Sequence, residues 1–495
     1  MTFPAEDPNG MDATAGFRGW LLALGVSLAT SLLVIAPSFW MGNASGHDFG
    51  FHAASWLDVA GQWKERIFFP RWTEWANYGF GEPRFVFYPP LSWMLGAALG
   101  FVFPWNAVPG IFIVIAQTVA GLCSFALARR FLPGRAALFG AACYAANPYA
   151  LLIVYMRSDF AELLACTLMP LVVLTALQLC GLAKNRRRYA PRAMAFFAVV
   201  FAAVWLSNAP AGVMASYSVA ILLMVMTGIA GIAVHRGIAG ERESGEARKL
   251  WRVLLLLSAA ATILMIRPSS VFWEHLPKLR FVQFPWRWMA ILAVPYAYFV
   301  AAAVASRRMR WIWIVLVLVA AGGTATFLVQ RAWWDSEDIP VLQEAIAKDQ
   351  GFEGTDEYDP AGDDHYNLPE KAPRVQVLPT EESAGSPPKA EIHIERWTAE
   401  ERNLQVTSNE PVRVALRLLD YPAWRVEVNG KAVTPQHAET NGEMILSLSA
   451  GREHLAVRLV RTPDRKLGVA ISMIAMLTLL AMLNAGGLRL LSASP

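Results

Sequence analysis

Runs of about twenty mostly apolar residues recur along the chain, and that is the length a helix needs to cross the hydrocarbon core of a bilayer. They cover residues 17–38, 110–128, 136–155, 160–181, 193–206, 211–234, 251–266, 286–304, 312–329 and 467–488. Inside a membrane each segment must satisfy its own backbone hydrogen bonds, so such runs fold as helices. Composition agrees: 55% of residues are hydrophobic and 17% charged, whereas a soluble domain carries about a quarter charged. The expected fold class is a polytopic α-helical membrane protein of about ten spans. The acidic N-terminus lacks a cleavage site after its apolar run, so 17–38 is read as an uncleaved first span. No basic tract points to nucleic acid, and the net charge is only +4. Cys123, Cys143, Cys166 and Cys180 sit inside apolar runs, where cysteine is a small filler, and their spacing suggests neither a metal site nor a disulfide framework.

Basic connections orient the spans. Arg129, Arg130 and Arg135; Lys184, Arg186, Arg187 and Arg188; the stretch 236–252; and Arg307, Arg308 and Arg310 fall in every second connection. Cytoplasmic loops are the ones enriched in Lys and Arg. The apolar piece 91–103 decides the count: at about 13 residues it is short of the roughly 20 a span requires. If it does not cross, all four clusters lie on the side of the N-terminus and both termini are cytoplasmic. A large first loop, 39–108, then faces outward, together with the polar stretch from about 330 to 464.

The expected domains follow. Residues 1–330 form the bundle and 331–389 an irregular acidic segment. Residues 390–465 alternate with period two around Asn429-Gly430, which reads as a small antiparallel sandwich of seven or eight strands. Residues 466–495 are the last span and a tail.

Four groups of residues are candidates for chemistry. Asp48 opens a helix expected to lie along the membrane surface; a carboxylate there can orient or deprotonate an acceptor hydroxyl, or bind a divalent metal with His47 and His52. Its plainer role is to cap that helix. Tyr155, Arg157, Asp159 and Glu162 mark the outer end of a span. Arg157 suits a phosphate and the acids suit work beside Asp48, or the group simply anchors a helix end. Glu162 begins an apolar run, where an ionisable group is a functional candidate by default. Glu274, His275, Lys278, Arg280, Gln283 and Arg287 lie among aromatics before another span and suit a lipid phosphate, or form an interfacial belt. Asp356, Glu357 and Tyr358 sit in the acidic segment as a lid, an acceptor contact or a solvated loop. Arg66, Arg71 and Arg84 are positive charges kept in the outer loop, for solvation or for an anion. Tyr88, in the Tyr-Pro-Pro that closes that loop, is a further substrate-contact candidate. The sequence holds no GxSxG, GxxxxGK[ST] or GxGxxG.

Taken in order, GHDFGFH at 46–52, the run 79–90 with FYPPL, YMRSDFAE at 155–162, SNAP at 207–210, LPKLRFVQFPWR at 276–287, GTDEYDP at 354–360 and YPAWRVEVNG at 421–430 resemble bacterial and archaeal GT-C-type membrane glycosyltransferases. The chain looks closest to membrane proteins described as 6-pyruvoyl-tetrahydropterin synthase-related and as YfhO-like, although a soluble zinc-binding His set is missing. The resemblance implies a multi-pass enzyme of the cytoplasmic membrane that takes a sugar from a polyprenyl-phosphate donor and passes it to a glycan, lipid or protein acceptor on the outer face. It maps the catalytic acid of the first outer loop to Asp48 and a second acid to Asp159 or Glu162. Phosphate contacts fall on Arg157, Arg280 or Arg287, and sugar stacking on Trp56, Trp72, Trp75 and Tyr78. The family's double-acid motif appears here as His47-Asp48, which leaves metal use open.

Two other classes remain: a lipid or glycan transporter, for which no repeated pair of broken spans is visible, and a non-catalytic assembly protein that displays its β-domain. The orientation is checked by single cysteines at Gly50 and Asn185 probed with a membrane-impermeant thiol reagent. Labelling from outside is expected at 50 and not at 185.

Overall fold

The computed structural model describes residues 16–182, 190–235, 244–305, 310–358, 368–379 and 387–491. The basic residues at 184–188, 236 and 307–308 lie outside the described residues. Among the described residues, eight helices are long and apolar enough to cross a membrane: Phe17–Met41, Trp105–Ala128, Gly134–Arg157, Phe160–Leu179, Ala209–Gly228, Pro285–Ala305, Arg310–Arg331 and Pro463–Asn484. Glu246–Leu264 and Arg267–His275 pass the same test only as a pair bent by 91°; Pro268, which has no N–H to continue a helix, stands at the break. The run counted at 193–206 is a shorter apolar helix, Pro191–Ser207, as is Pro90–Val102. Phe160–Leu179 is the most enclosed span, whereas Pro463–Asn484 buries none of its apolar stretch against the rest of the chain. The protein is thus a polytopic α-helical membrane protein with a C-terminal β-sandwich.

The helix Phe49–Lys64 differs from the surface helix the sequence suggests. His52, Ser55, Asp58 and Gln62 are buried along with Phe49, Trp56 and Val59. Its polar side is covered by the rest of its own loop: Gln62 Nε2 donates to the Trp72 carbonyl at 2.8 Å, Trp75 N to Asp58 Oδ2 at 3.0 Å, and Arg84 Nη1 to Ser55 Oγ at 2.9 Å. Polar residues at helical spacing mark a face without saying whether water or protein meets it. Arg84, expected at the surface or on an anion, is 1% exposed and paired with Glu82 at 2.6 Å.

The segment 331–389 is less irregular than its composition implies. Strand β2 (Trp334–Asp335) pairs with β1 (Asn43–Ala44), and a helix follows at Asp338–Ala347. The sandwich itself begins before residue 390, with β3 (Val375–Leu378). Then come β4 (Ala390–Thr398), β5 (Glu401–Ser408), β6 (Val412–Leu419), β7 (Trp424–Val428), β8 (Lys431–Val433), β9 (Gln436–His437), β10 (Glu443–Leu448) and β11 (Gly451–Leu459). The two sheets run β3-β6-β10-β9 and β4-β5-β11-β7-β8. Alternation in β5 buries Leu404 and Val406 and leaves Thr407 outside. Asn429 and Gly430 take φ of 49° and 75° in the tight turn between β7 and β8.

The sandwich is built onto the first loop. Trp72 and Phe80, both 0% exposed, belong to its core, and Trp72 packs edge-on against Trp424 at 5.2 Å. Arg71 holds Glu400 in a fork at 3.1 and 2.5 Å and donates to the Leu459 carbonyl at 2.8 Å. The fully buried Arg402 packs over Trp397 and Trp424 and donates to the Thr398 carbonyl. Its charge is the main one that favours the ionised form of Glu74.

Burial pushes the Glu74 carboxyl from its ordinary 4.5 up to about 8, and the neighbouring Asp58 up to about 6. A raised folded value means the proton is held more tightly in the native state. The stability from Glu74 is therefore complete below pH 4.5 and is lost as pH rises through about 8. Glu74→Gln is expected to flatten the fall in unfolding temperature of the detergent-solubilised protein between about pH 6 and 8.

Candidate functional site

The first loop is pinned to the end of the span Gly134–Arg157. Gly46 N donates to Ser158 Oγ at 3.0 Å, His47 N to the Met156 carbonyl at 3.3 Å and Asp48 N to the Arg157 carbonyl at 2.7 Å. A Cβ on Gly46 would stand 2.6 Å from the Met156 and Arg157 backbone, so this approach requires glycine. Ser158, at φ 53°, turns the chain and donates from Oγ to the Ala44 carbonyl at 2.7 Å.

This contact sets Arg157 among three carboxylates. Its Nη2 donates to Asp48 Oδ2 at 2.6 Å and to Asp159 Oδ2 at 3.4 Å, and its Nη1 to Glu162 Oε2 at 3.1 Å. Arg287 approaches from the later span Pro285–Ala305, with Nε 3.4 Å from Glu162 Oε2 and Nη2 3.9 Å from Asp159 Oδ2. Asp159 caps Phe160–Leu179 by accepting from Glu162 N at 2.8 Å. The Tyr149 hydroxyl donates to Glu162, and Arg157 stacks over Trp286 at 5.0 Å. The side chains of Glu162, Asp159 and Arg287 are 0, 6 and 6% exposed, and that of Asp48 is 22%. Two acids are sealed in and one still meets solvent.

Burial opposes charge on Asp159, but His52, 3.4 Å away, and the charge of Arg157 outweigh it and hold the carboxyl well below its ordinary 3.8. The stability it contributes is therefore present above pH 3.8 and lost as pH falls through the folded value. Burial and then the charge of Asp159 push the Tyr88 hydroxyl well above the usual tyrosine range. Tyr88 lies over Phe51 and His52, with ring centroids 4.9 and 6.1 Å apart.

The sequence leaves metal use open, with His47, Asp48 and His52 as the ligands if a metal binds; the structure does not bring these three side chains together. His47 is 86% exposed with Nδ1 2.8 Å from Asp48 Oδ1, while His52, 1% exposed, turns to Asp159. Asp48 precedes the helix at φ −100°, ψ 5° and makes no capping bond through its side chain, so neither the i,i+4 geometry nor the capping role applies. Among the described residues no three His, Cys, Asp or Glu side chains converge as metal ligands. The guanidiniums fill the space between the carboxylates where a cation would sit, so a divalent metal does not fit this arrangement.

Other candidates divide. Gln283 joins the cluster through Arg287 and reaches Glu357 Oε1 at 3.3 Å. Tyr358 stacks between Phe51 and Phe87 at 6.4 and 6.5 Å. Glu274 and Arg280 are exposed and make none of the contacts of the cluster. Trp56 and Trp72 are 0% exposed and act as core, which removes them as sugar platforms. Tyr149 was not legible: Asn147-Pro148 in an apolar run marks a helix restart, with Asn147 Oδ1 accepting from Tyr149 N at 3.0 Å, but says nothing of where the hydroxyl two residues on points.

No protein-family model matches the chain, and no curated protein matches its sequence. Among solved structures the chain is similar to the arabinofuranosyltransferase AftD from mycobacteria, at 17% identity over 64% of this chain and 28% of that one, with a TM-score of 0.36. It is also similar to the archaeal oligosaccharyltransferase AglB from Archaeoglobus fulgidus in complex with an inhibitory peptide and a dolichol-phosphate, at 16% identity over 66% and 38% of the two chains and a TM-score of 0.32. The apo form of the Archaeoglobus fulgidus oligosaccharyltransferase aligns at 12% identity over 66% and 56%, also with a TM-score of 0.32. The chain thus spans less than two thirds of each of these proteins.

Removing Arg157 leaves Asp159 and Glu162 buried with only the more distant Arg287 between them as a guanidinium partner. Breaking such an ion network from one side costs roughly 3–5 kcal/mol. Arg157→Gln is expected to lower the unfolding temperature sharply, and Arg157→Lys to recover part of the loss.

Proposed function

We propose that the protein is a GT-C-type glycosyltransferase that moves a sugar from a polyprenyl-phosphate donor to an acceptor hydroxyl on the outer face of a bacterial or archaeal cytoplasmic membrane. The observation that carries this reading is the cluster itself: two arginines and three acids at the ends of spans, with Asp48 as the most solvent-accessible carboxylate. The order of the motifs along the chain supports it independently.

In this scheme the donor phosphate approaches Arg157 and competes with Asp48 for Nη2, because Asp159 and Glu162 are sealed behind. Asp48, released, accepts the proton of the acceptor hydroxyl as its oxygen bonds to the anomeric carbon. The bond from that carbon to the phosphate oxygen breaks, and polyprenyl phosphate leaves as an anion. Arg157 and Arg287 stabilise the charge that develops on it, which is where fixed cations contribute most to rate. Asp159 and Glu162 keep both guanidiniums in place. Tyr88 and Tyr358 line the approach to the sugar.

The experiment is complementation of a deletion strain with variants of comparable expression, read out as the cell-envelope glycan or glycolipid profile. Asp48→Asn is expected to lower transfer by about 10²–10⁴-fold, the range for loss of a general base. Glu162→Gln is expected to impair transfer through the loosened arginines. A well-expressed Asp48→Asn variant with an unchanged profile refutes the assignment.

A further inference from the structure

Ahead of the span that carries Arg287, the backbone adopts a conformation that non-glycine residues rarely take. Gln283 has φ 63° and ψ −55°, and Phe284 N donates to the Val282 carbonyl at 2.7 Å. This is a γ-turn of the positive-φ kind, uncommon and strained. Such strain persists only where the surroundings over-determine it, and it collects at switches and ligand clamps.

The surroundings here are specific. Arg287 Nη1 donates to the Val282 carbonyl at 3.3 Å and to Gln283 Oε1 at 3.0 Å. At the other end of the same amide, Gln283 Nε2 donates to Glu357 Oε1 at 3.3 Å. One side chain therefore links a guanidinium of the buried cluster to the acidic segment above it. That segment is firmly held at its base: Thr355 N donates to Glu82 Oε2 at 2.9 Å, Arg84 Nη2 to Thr355 Oγ1 at 3.2 Å, and Phe352 N to the Trp75 carbonyl at 2.9 Å. At the tip, Tyr358 N donates to the Thr355 carbonyl at 2.9 Å, Glu357 accepts the Gln283 bond and Tyr358 stacks on Phe51 and Phe87.

We infer that Gln283 is a positioning residue that couples Arg287 to the Glu357–Tyr358 tip, so that a phosphate captured by Arg287 releases the strained turn and frees the tip above the site. The donors of a guanidinium lie in a fixed fork, so its separate arms meet different partners. Nε and Nη2 of Arg287 face Glu162 and Asp159. Nη1, which holds the turn, is the arm a phosphate competes for. The phosphate trigger rests on the reading of the cluster given above, whereas the coupling through Gln283 does not.

The test is hydrogen–deuterium exchange of peptides covering 352–358 in the full chain in lipid nanodiscs, with and without decaprenyl phosphate. Without the probe, Gln283→Ala and Gln283→Gly are expected to speed exchange at the tip roughly two- to tenfold, the equivalent of one hydrogen bond. Glycine takes the positive φ without strain, so a common effect assigns the coupling to the amide rather than to the backbone. Gln283→Glu alone sets two carboxylates together and is expected to match Gln283→Ala. The double variant Gln283→Glu/Glu357→Gln restores the pair with donor and acceptor exchanged, and is expected to return exchange to the wild-type rate. With the probe, the wild type is expected to gain exchange at the tip and Gln283→Ala to show no further gain. Unchanged exchange in Gln283→Ala without probe overturns the inference. Bound probe, seen as a change in tryptophan fluorescence, with no change at the tip also overturns it and leaves the phosphate reading standing. Failure of the probe to bind, while the substitutions still alter exchange, refutes the phosphate reading and its trigger but sustains the coupling.

Discussion

A single guanidinium shared by three carboxylates holds one end of this bundle together. Each buried acid left alone costs several kcal/mol in desolvation, and Asp159 and Glu162 are almost wholly withdrawn from water. Arg157 offsets that cost, and it can do so because the first loop is pulled against it. Gly46 allows the backbones to touch, Ser158 turns the chain at positive φ, and Asp48 N closes the contact on the Arg157 carbonyl. Arg287 then completes the charge balance from a later span. Three stretches far apart in the chain meet because of one electrostatic demand.

The same demand separates the roles of three chemically similar acids. Glu162 is tied by two arginines and a tyrosine hydroxyl, and Asp159 by a cap, the same two arginines and His52. Both are scaffolding for positive charge. Asp48 shares its arginine across a short bond yet keeps a path to solvent. A general base needs reach to an incoming proton before it needs any particular pKa; under the proposed function, exposure is what favours Asp48 for that role where residue type does not.

The sandwich is part of this design. Its core takes Trp72 and Phe80 from the first loop, and that loop also carries Arg84, Glu82 and the helix that begins beside Asp48. The acidic segment that brings Glu357 and Tyr358 to the site leans on the same loop, through Thr355 and Phe352. Site and β-domain therefore share a foundation in the first loop.

Much of this was readable in order along the chain. Apolar runs of span length, period-two alternation after 390 and the Asn429-Gly430 turn identify helices and strands because each depends on local periodicity and on backbone chemistry. Ionisable residues at the ends of spans, among them Asp48, Arg157, Asp159, Glu162 and Arg287, stand out because a membrane penalises them. What meets a polar or aromatic face is not local. Only the tertiary structure turned Trp56 and Trp72 into core, covered the polar side of Phe49–Lys64 with Arg84 and Trp75, and aimed His52 at Asp159 instead of Asp48. Only it supplied Tyr149 and the strained turn at Gln283. The reason is physical: sequence spacing determines where a side chain leaves its own helix, and the partner it finds is set by another segment of the chain that the fold brings against it.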